Sequence, residues 1–262
     1  MIETYDLLLI DLDGVVWRGL KPIERNVEAI RKLCGRDVKI IFVTNNATKS
    51  RRTYAELLSR MLDLKISEKD VMCSGYAISN WLLNRYGKVN VYPIGEEGLI
   101  EELSKAGHRV IDGKMIDKVE AVVVSLDRTL TYRKLEYAHE AITKYNAIFT
   151  ATNQDHVIPI SSGTAPGAGA IIASLVKSTG VKPIFTAGKP NPYMANLILK
   201  RLKHSRRRVL VVGDRCDTDV AFASNAKLDS LLVMTGVTGT IASSKYKPTY
   251  IAKDLLEFME KS

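Results

Sequence analysis

Residues 5–14 read YDLLLIDLDG, and this stretch decides the fold class of the chain. The apolar run 7–10 leads directly into Asp11 and Asp13, followed by Gly14. Because successive side chains of a strand point to opposite faces, aspartates at i and i+2 start on one side, at the strand's carboxyl end. Carboxylates that close raise each other's pKa unless a cation intervenes. The stretch predicts a strand ending at a divalent metal and a phosphate. The alternative is a strand end and turn, with the glycine supplying backbone freedom.

The composition is that of an ordinary globular protein. The chain has 262 residues, 46% hydrophobic and 26% charged, enough for one large domain or two smaller ones. Cys34, Cys73 and Cys216 are widely spaced and match no metal or redox pattern, which favours a reducing compartment. The sequence has neither a signal-peptide pattern nor an apolar run of about 18 residues. We therefore expect a soluble, cytoplasmic protein without a membrane partner.

The chain is basic, with a net charge of +9, which favours anionic ligands of any kind. The densest basic cluster, residues 200–208, reads KRLKHSRRR and lies between a predicted helix and a predicted strand. Cations near a helix C-terminus complement the helix dipole, so we interpret the cluster as a solvated helix end. The alternative is a nucleic-acid patch, but no aromatic residues interleave with the charges. We therefore expect no nucleic-acid partner.

Short apolar runs alternate with helical patterns along the chain, which is typical of a parallel sheet covered by helices. The predicted strands are 7–10, 39–43, 121–125, 147–151, 183–186, 208–212 and 230–234. The predicted helices are 23–33, 54–62, 78–83, 99–106, 135–143, 170–178, 193–202 and 255–259. The expected fold class is α/β, with a doubly wound parallel sheet.

Polar motifs follow four of the predicted strands. They are DLDG at 11–14, TNN at 44–46, AGKP at 187–190 and GDR at 213–215. Ligands of open α/β sheets bind at the carboxyl ends of strands, so we expect these four strands to be neighbours whose ends converge. A long segment with strands and helices of its own interrupts the series, too long for a loop. We place an inserted domain at 74–181, between core segments 1–73 and 182–262.

The four acidic residues suit phosphoryl transfer through a covalent intermediate. Asp11 would be the nucleophile that forms an aspartyl-phosphate. Asp13 would protonate the leaving oxygen and then deprotonate water. Asp214 would complete a metal site with the Asp11 carboxylate and the Asp13 carbonyl. Asp219, one helical turn onward, would support these ligands by hydrogen bonding, although a solvated helical carboxylate is the alternative.

The remaining candidates would bind the phosphate group. Thr44 offers a hydroxyl and a backbone N–H, Asn45 adds donors, and Lys189 supplies a cation. Each motif also has a purely structural interpretation: 44–46 as a turn and N-cap, 189–190 as an exposed helix start, and 213–214 as a turn. A binding or regulatory module without turnover is the alternative function, but nucleophile, acid/base, cation and metal ligand are all present. The four motifs together favour an enzyme.

The motif set DLDGV, TNN, GKP and GDR, with Thr218 and Asp219, resembles that of the haloacid dehalogenase superfamily. The second aspartate indicates its phosphatase branch, because a dehalogenase would lack it. The insertion, ATNQD at 151–155 and PGAGA at 166–170 resemble the NagD-like branch with a class II, type A cap. That branch contains p-nitrophenyl phosphatases, nucleotide monophosphatases and phosphoglycolate phosphatases. The resemblance implies a Rossmann-like core, a smaller α/β cap, Mg²⁺ as cofactor and the residue roles given above.

The resemblance carries less information about the substrate. In relatives a proline and a basic residue often flank the aspartate that corresponds to Asp155, whereas here Gln154 and His156 do so. Asn153, Asp155 and His156 are the candidate specificity residues, and a surface or structural histidine is the alternative for His156. The expected substrate is a small phosphorylated metabolite, with p-nitrophenyl phosphate as an artificial one. The resemblance also allows a homodimer formed through the cap.

Overall fold

The computed structural model describes residues 2–19, 21–160, 163–236 and 245–261. The chain divides into two compact units. The first comprises Met1–Thr44, Tyr54–Met72 and Lys189–Ser262, and the second comprises Asn45–Thr53 and Cys73–Gly188. The second unit overlaps the insertion expected at 74–181 and additionally includes residues 45–53 and 182–188.

Strands and helices alternate over most of the described chain. The strands are β1 (Leu7–Asp11), β2 (Trp17–Arg18), β3 (Lys21–Pro22), β4 (Lys39–Thr44), β5 (Val71–Cys73), β6 (Asn90–Ile94), β7 (Arg109–Val110), β8 (Ala121–Val124), β9 (Ile148–Ala151), β10 (Val157–Ile160), β11 (Gly163–Pro166), β12 (Phe185–Thr186), β13 (Val209–Gly213), β14 (Asp229–Val233) and β15 (Tyr250–Ala252). The α-helices are α1 (Glu24–Cys34), α2 (Arg51–Leu62), α3 (Ser74–Tyr86), α4 (Glu97–Lys105), α5 (Tyr132–Thr143), α6 (Ala168–Thr179), α7 (Tyr193–Leu202), α8 (Ala221–Ala226) and α9 (Leu255–Glu260).

The first unit is built on a six-stranded sheet of order β15-β14-β13-β1-β4-β5. β1 runs parallel to both of its neighbours, β13 and β4. All five residues of β1 are buried, as expected for a parallel strand covered on both faces. Strand order reverses at β1, since β4 and β5 lie on one side of it and β13 to β15 on the other. The carboxyl end of β1 is therefore at the topological switch point, where ligands bind in such sheets.

The second unit has its own five-stranded sheet, of order β12-β9-β8-β6-β7, and the hairpin β10-β11. Its buried core is formed by β8 and β9 residues such as Val122 and Phe149, with α5 and α6 residues such as Ala138 and Leu175. The predicted strands do not include β6, although β6 lies next to β8. Pro93 interrupts its apolar run, and a residue without an N–H weakens a strand prediction.

The expectation that strand 183–186 neighbours the core strands is wrong. β12 instead pairs with β9 in the sheet of the second unit, with Phe185 opposite Thr150. The Phe185 ring stacks on Trp81 of the same unit, with ring centroids 4.3 Å apart and planes 4° apart. The strand consists of two half-buried residues, and the stacking of the Phe185 ring on Trp81 favours its pairing within the second unit. The chain enters the first unit at Lys189, after the strand has ended.

Each helix predicted from the sequence is present, and the α/β class with parallel sheets is confirmed. The prediction omitted the short α8 and the π-helical turn Cys216–Val220 that precedes it. Within the described residues, none of the helices has both the length and the apolar character that crossing a membrane requires.

The start of α9 provides a stability test with a defined pH dependence. Asp254 caps this helix by accepting the Glu257 N–H at 2.8 Å, and Arg25 Nε donates to its Oδ2 at 2.6 Å. Burial alone would raise the pKa of Asp254, but these hydrogen bonds outweigh it and lower the pKa. We expect Asp254→Ala to reduce the free energy of unfolding by about 1–2 kcal/mol at pH 7, measured by urea denaturation.

The pH dependence follows from the lowered pKa. The Asp254 carboxylate contributes stability above the unfolded-state pKa of about 3.9, and the contribution is lost as pH falls through the lower folded-state value. The difference between the parent chain and Asp254→Ala should therefore shrink towards pH 3. Asp254→Asn, which keeps a capping oxygen without the charge, should lose only the pH-dependent part. If Asp254→Ala destabilised the protein equally at pH 7 and at pH 3, the charge argument would be contradicted.

Candidate active site

Three of the predicted site residues follow from the register of the first sheet. Asp11 ends β1, Thr44 ends β4 and Asp214 comes directly after β13. Asp11 lies opposite Val43, and Ile10 lies opposite Val212, so the ends of these parallel strands are level. The side chains of Asp11, Thr44 and Asp214 are all buried at the carboxyl edge of the sheet.

Lys189 joins two of the acidic residues. Its Nζ donates to Asp11 Oδ1 and to Asp219 Oδ1, each at 2.5 Å, and the residue is 4% exposed. Asp219 Oδ2 accepts the backbone N–H of Arg215 at 3.1 Å, which fixes the second carboxylate on its own turn. The structure therefore brings Lys189 and Asp219 to Asp11, although they come from distant parts of the chain.

The acidic residues form a cluster suited to a divalent cation. Carboxylate oxygens of Asp11, Asp214 and Asp219 all lie within 4.8 Å of one another, and all three residues are buried. The Lys189 ammonium balances one of these three negative charges. Carboxylate oxygens are the donors that Mg²⁺ prefers, so the residues fit that ion in both charge and chemistry.

Glycine backbone encloses the Asp214 carboxylate. Gly14 has φ +90°, and a Cβ built there would lie 2.4 Å from Asp214 Oδ2. A Cβ at Gly236 would lie 1.8 Å from the same oxygen. Both positions exclude larger residues, because a side chain would occupy the space of the carboxylate. The glycine of DLDG is thus required by close approach as well as by its backbone angle.

The electrostatics indicate that the cluster carries excess negative charge. Burial raises the pKa of Asp11, the Lys189 ammonium lowers it, and the neighbouring Asp219 and Asp214 raise it again, leaving it well above its usual range. Burial alone would lower the pKa of Lys189, but the carboxylates of Asp11 and Asp219 raise it above its usual range. A cation among these oxygens favours ionised Asp11, the form that a nucleophile requires.

Asp13 accepts a hydrogen bond from an aromatic side chain. It is half-buried, and Trp17 Nε1 donates to its Oδ1 at 3.0 Å. The prediction from sequence did not include Trp17. The available signal was a tryptophan in the same motif, DLDGVVW, because a buried indole N–H usually finds an acceptor.

Known proteins resemble the chain over nearly its whole length. Residues 8–109 match the family described as haloacid dehalogenase-like hydrolase, and residues 186–258 match one described as HAD-hydrolase-like. Phosphoglycolate phosphatase 2 of Arabidopsis thaliana is 32% identical, over 99% of this chain and 95% of its own length. The chain belongs to the haloacid dehalogenase-like hydrolases.

Solved structures agree with this hydrolase in fold. The p-nitrophenyl phosphatase from Archaeoglobus fulgidus has a TM-score of 0.91 and 34% identity, covering 98% of this chain and 99% of its own. The glycerol phosphate phosphatase from Mycobacterium tuberculosis, solved in complex with magnesium, has a TM-score of 0.87 and 34% identity. The match covers 97% of this chain and 77% of that protein. This hydrolase is a phosphatase. The names of its relatives differ in the substrate.

The other predicted site residues of this hydrolase lie in the second unit. Asp155 Oδ2 accepts from Asn153 Nδ2 at 2.8 Å and from Asn45 Nδ2 at 3.1 Å. Thr152 Oγ1 donates to Asn153 Oδ1 at 2.8 Å, which extends the network. His156 is exposed, and its backbone carbonyl accepts the N–H of Gly167 at 2.9 Å. The role of Asn45 in phosphate binding and the roles of Asn153, Asp155 and His156 in specificity stay predictions.

The basic cluster at 200–208 engages residues of its own unit. Arg201 Nη2 donates to the backbone carbonyl of Lys69 at 2.6 Å. Arg206 Nη1 donates to the carbonyl of Ala226 at 3.0 Å, and Arg208 Nε lies 3.1 Å from Asp6 Oδ2. These contacts give Arg201, Arg206 and Arg208 structural partners.

Proposed function

We propose that this phosphatase is a Mg²⁺-dependent phosphomonoesterase that acts on a small phosphorylated metabolite through an aspartyl-phosphate on Asp11. The single observation that carries the proposal is the buried cluster in which Lys189 donates to both Asp11 and Asp219 beside Asp214. An anionic substrate needs this combination of nucleophile, cation and metal ligands, because phosphoryl transfer depends mainly on positioning and charge stabilisation.

The reaction has two steps. The Asp11 carboxylate attacks phosphorus, the bond from phosphorus to the leaving oxygen breaks, and Asp13 gives its proton to that oxygen. Asp13, now a carboxylate, takes a proton from water as the water attacks the phosphorus of the aspartyl-phosphate. Inorganic phosphate leaves and Asp11 is regenerated. Asp11 thus forms its bond to phosphorus in the first step and loses it in the second, while Asp13 gives up a proton in the first step and takes one up in the second.

Neighbouring groups bind the phosphate and the metal. Thr44 donates to phosphate oxygens through its hydroxyl and backbone N–H, and Lys189 stabilises negative charge on the transferred group. Asn45 adds donors from the following position in the chain. Asp11 and Asp214, with the main-chain carbonyl of Asp13, would hold Mg²⁺, which when bound supplies positive charge to the phosphate oxygens. The magnesium complex of the Mycobacterium tuberculosis relative supports this choice of ion.

We assign the second unit as a cap that selects the leaving group, with Asn153, Asp155 and His156 as its specificity residues. The differing substrates in the names of the relatives support a separate specificity element. A homodimer through the cap belongs to the same proposal, on the resemblance described above. A cytoplasmic location also belongs to it, on the spacing of the three cysteines.

Metal removal with a substrate panel tests the proposal. Purified protein with Mg²⁺ should release phosphate from p-nitrophenyl phosphate and from at least one member of a panel of nucleoside monophosphates, sugar phosphates, phosphoglycolate and glycerol phosphate. Chelation should lower turnover by about a hundredfold or more, because the lost charge stabilisation is worth several kcal/mol, and added Mg²⁺ should restore it.

Two outcomes would count against the proposal. Turnover that persists after exhaustive chelation would contradict the metal site. Metal-dependent binding of phosphate esters without phosphate release would instead indicate a binding module on the same fold. A chelated sample returned to excess Mg²⁺ serves as its own control for irreversible unfolding.

A further inference from the structure

We propose that Trp17 is a positioning residue for Asp13, holding its carboxyl group in the orientation needed to protonate the leaving oxygen. The inference rests on the proposed function and adds a residue to its acid/base machinery. Trp17 Nε1 donates to Asp13 Oδ1 at 3.0 Å, within the first unit. The indole N–H is a donor only, so it can bind a carboxyl oxygen but cannot take the proton.

The bond gives the two oxygens of Asp13 different tasks. Oδ1 accepts from the indole, and the proton transferred in the reaction is therefore carried on Oδ2. A carboxyl group held at one oxygen loses rotational freedom about its side-chain torsions, so the acidic O–H keeps a fixed direction. Without Trp17 the same group would sample other orientations, and fewer of them would be productive.

The backbone fixes Trp17 relative to Asp13. The Gly14 N–H donates to the Trp17 carbonyl at 2.7 Å, and the N–H groups of Val16 and Trp17 donate to the Leu12 carbonyl at 2.8 Å and 3.2 Å. These bonds close the motif into a tight turn, and Trp17 continues into β2, which pairs with β3. The main-chain positions of Asp13 and Trp17 are thus fixed relative to each other within one short segment.

Packing fixes the indole ring itself. Trp17 is 1% exposed, and its ring lies nearly parallel to that of Tyr54, with centroids 6.5 Å apart and planes 12° apart. A buried indole N–H that lost its acceptor would leave an unsatisfied donor, which is unfavourable away from water. The ring therefore favours one arrangement, in which the N–H meets Asp13.

Leaving-group dependence separates this role from a structural one. p-Nitrophenolate is a stable anion that departs with little help from an acid, whereas phenolate from phenyl phosphate requires more. We expect Trp17→Phe to lower kcat/KM for phenyl phosphate about tenfold more than for p-nitrophenyl phosphate, since general-acid catalysis contributes about 10²–10⁴-fold in total. kcat/KM is the appropriate quantity because it reports only the steps up to departure of the leaving group.

Two further variants test whether the effect comes from a general loss of packing and whether it acts through Asp13. Trp81→Phe makes the same substitution in the second unit and should leave the ratio of the two kcat/KM values unchanged. Adding Trp17→Phe to Asp13→Asn should also leave the ratio unchanged, because the residue that Trp17 orients is already inactive. A further fall in that background would overturn the proposal.

An isosteric replacement avoids the loss of volume in Trp17→Phe. The chain has two tryptophans, so biosynthetic incorporation of benzothienylalanine into Trp81→Phe protein changes Trp17 alone and replaces its N–H by sulfur. The ratio of kcat/KM for phenyl phosphate to that for p-nitrophenyl phosphate should fall as it does in Trp17→Phe. Equal loss on both esters, or no loss, would overturn the positioning role. If the parent chain hydrolyses neither ester, the proposed function fails instead, and the two failures are thereby distinguished.

Discussion

Asp11→Asn is expected to lower kcat/KM for p-nitrophenyl phosphate by about 10⁴-fold or more, because the amide cannot attack phosphorus as a carboxylate does. The substitution preserves the size of a side chain that is buried beside Lys189. It also removes one negative charge from a cluster in which the pKa of Asp11 is already raised by burial and by its acidic neighbours. We therefore expect a folded but inactive protein, measured by phosphate release alongside urea denaturation.

Asp6→Asn is the matched control for this prediction. Asp6 directly precedes β1, at the opposite end of the strand from Asp11. Its carboxylate lies 2.7 Å from His204 Nε2 and 3.1 Å from Arg208 Nε. Asp6→Asn makes the same chemical change within the same segment. The variant should keep activity within about twofold, since partly exposed ion pairs contribute little to stability. Comparable activity in a folded Asp11→Asn protein would refute the nucleophile assignment.

Lys189→Met should impair both activity and stability. Lys189 is buried between Asp11 and Asp219, so its loss leaves buried carboxylates without their cation. Breaking a buried ion pair in this way costs about 3–5 kcal/mol of unfolding free energy. Turnover of p-nitrophenyl phosphate should fall about 10²–10³-fold, in line with the loss of one charge-stabilising donor. Urea denaturation in chelator gives the stability change.

Mg²⁺ and a second substitution distinguish electrostatics from simple loss of packing. Saturating Mg²⁺ should restore part of the stability of Lys189→Met, because a ligand that binds only the folded state stabilises it. Adding Asp219→Asn should do the same by removing one unbalanced charge. Lys39→Met removes an exposed partner of Asp70 and should cost at most about 1 kcal/mol. If Lys189→Met were no more destabilising than Lys39→Met, the charge-cluster argument would fail.

The strands that the sequence predicts well are those with continuous apolar runs. β1 and β13 are buried along their length, and β4 is buried except at Lys39, so the apolar runs in the sequence match the strand boundaries closely. The sequence pattern does not predict β6, because Pro93 interrupts its apolar run, and it places β12 in the wrong sheet. Both errors concern segments whose local pattern is weak, and in such segments tertiary packing outweighs propensity.

The candidate site also has a part that the sequence predicts correctly and a part that it does not. That Asp11, Thr44 and Asp214 end neighbouring strands could be inferred from motif and strand together, because the carboxyl ends of parallel strands share one edge. Lys189 is different, since the strand before it pairs in the other unit and yet its ammonium hydrogen-bonds Asp11. The inference from four converging strands thus predicted the contact of Lys189 for an incorrect reason.

The sequence by itself determined the fold class and the family, and it predicts the chemistry of the site, because these follow from residue types at fixed spacing on buried strands. Tertiary structure alone decided which sheet β12 joins, that Asn45 hydrogen-bonds Asp155, and that the indole of Trp17 meets Asp13. Spacing along a strand is set by local backbone geometry, whereas contacts between distant segments depend on which apolar faces bury one another. Side-chain orientation within a tight turn likewise depends on packing against residues that the local sequence does not contain.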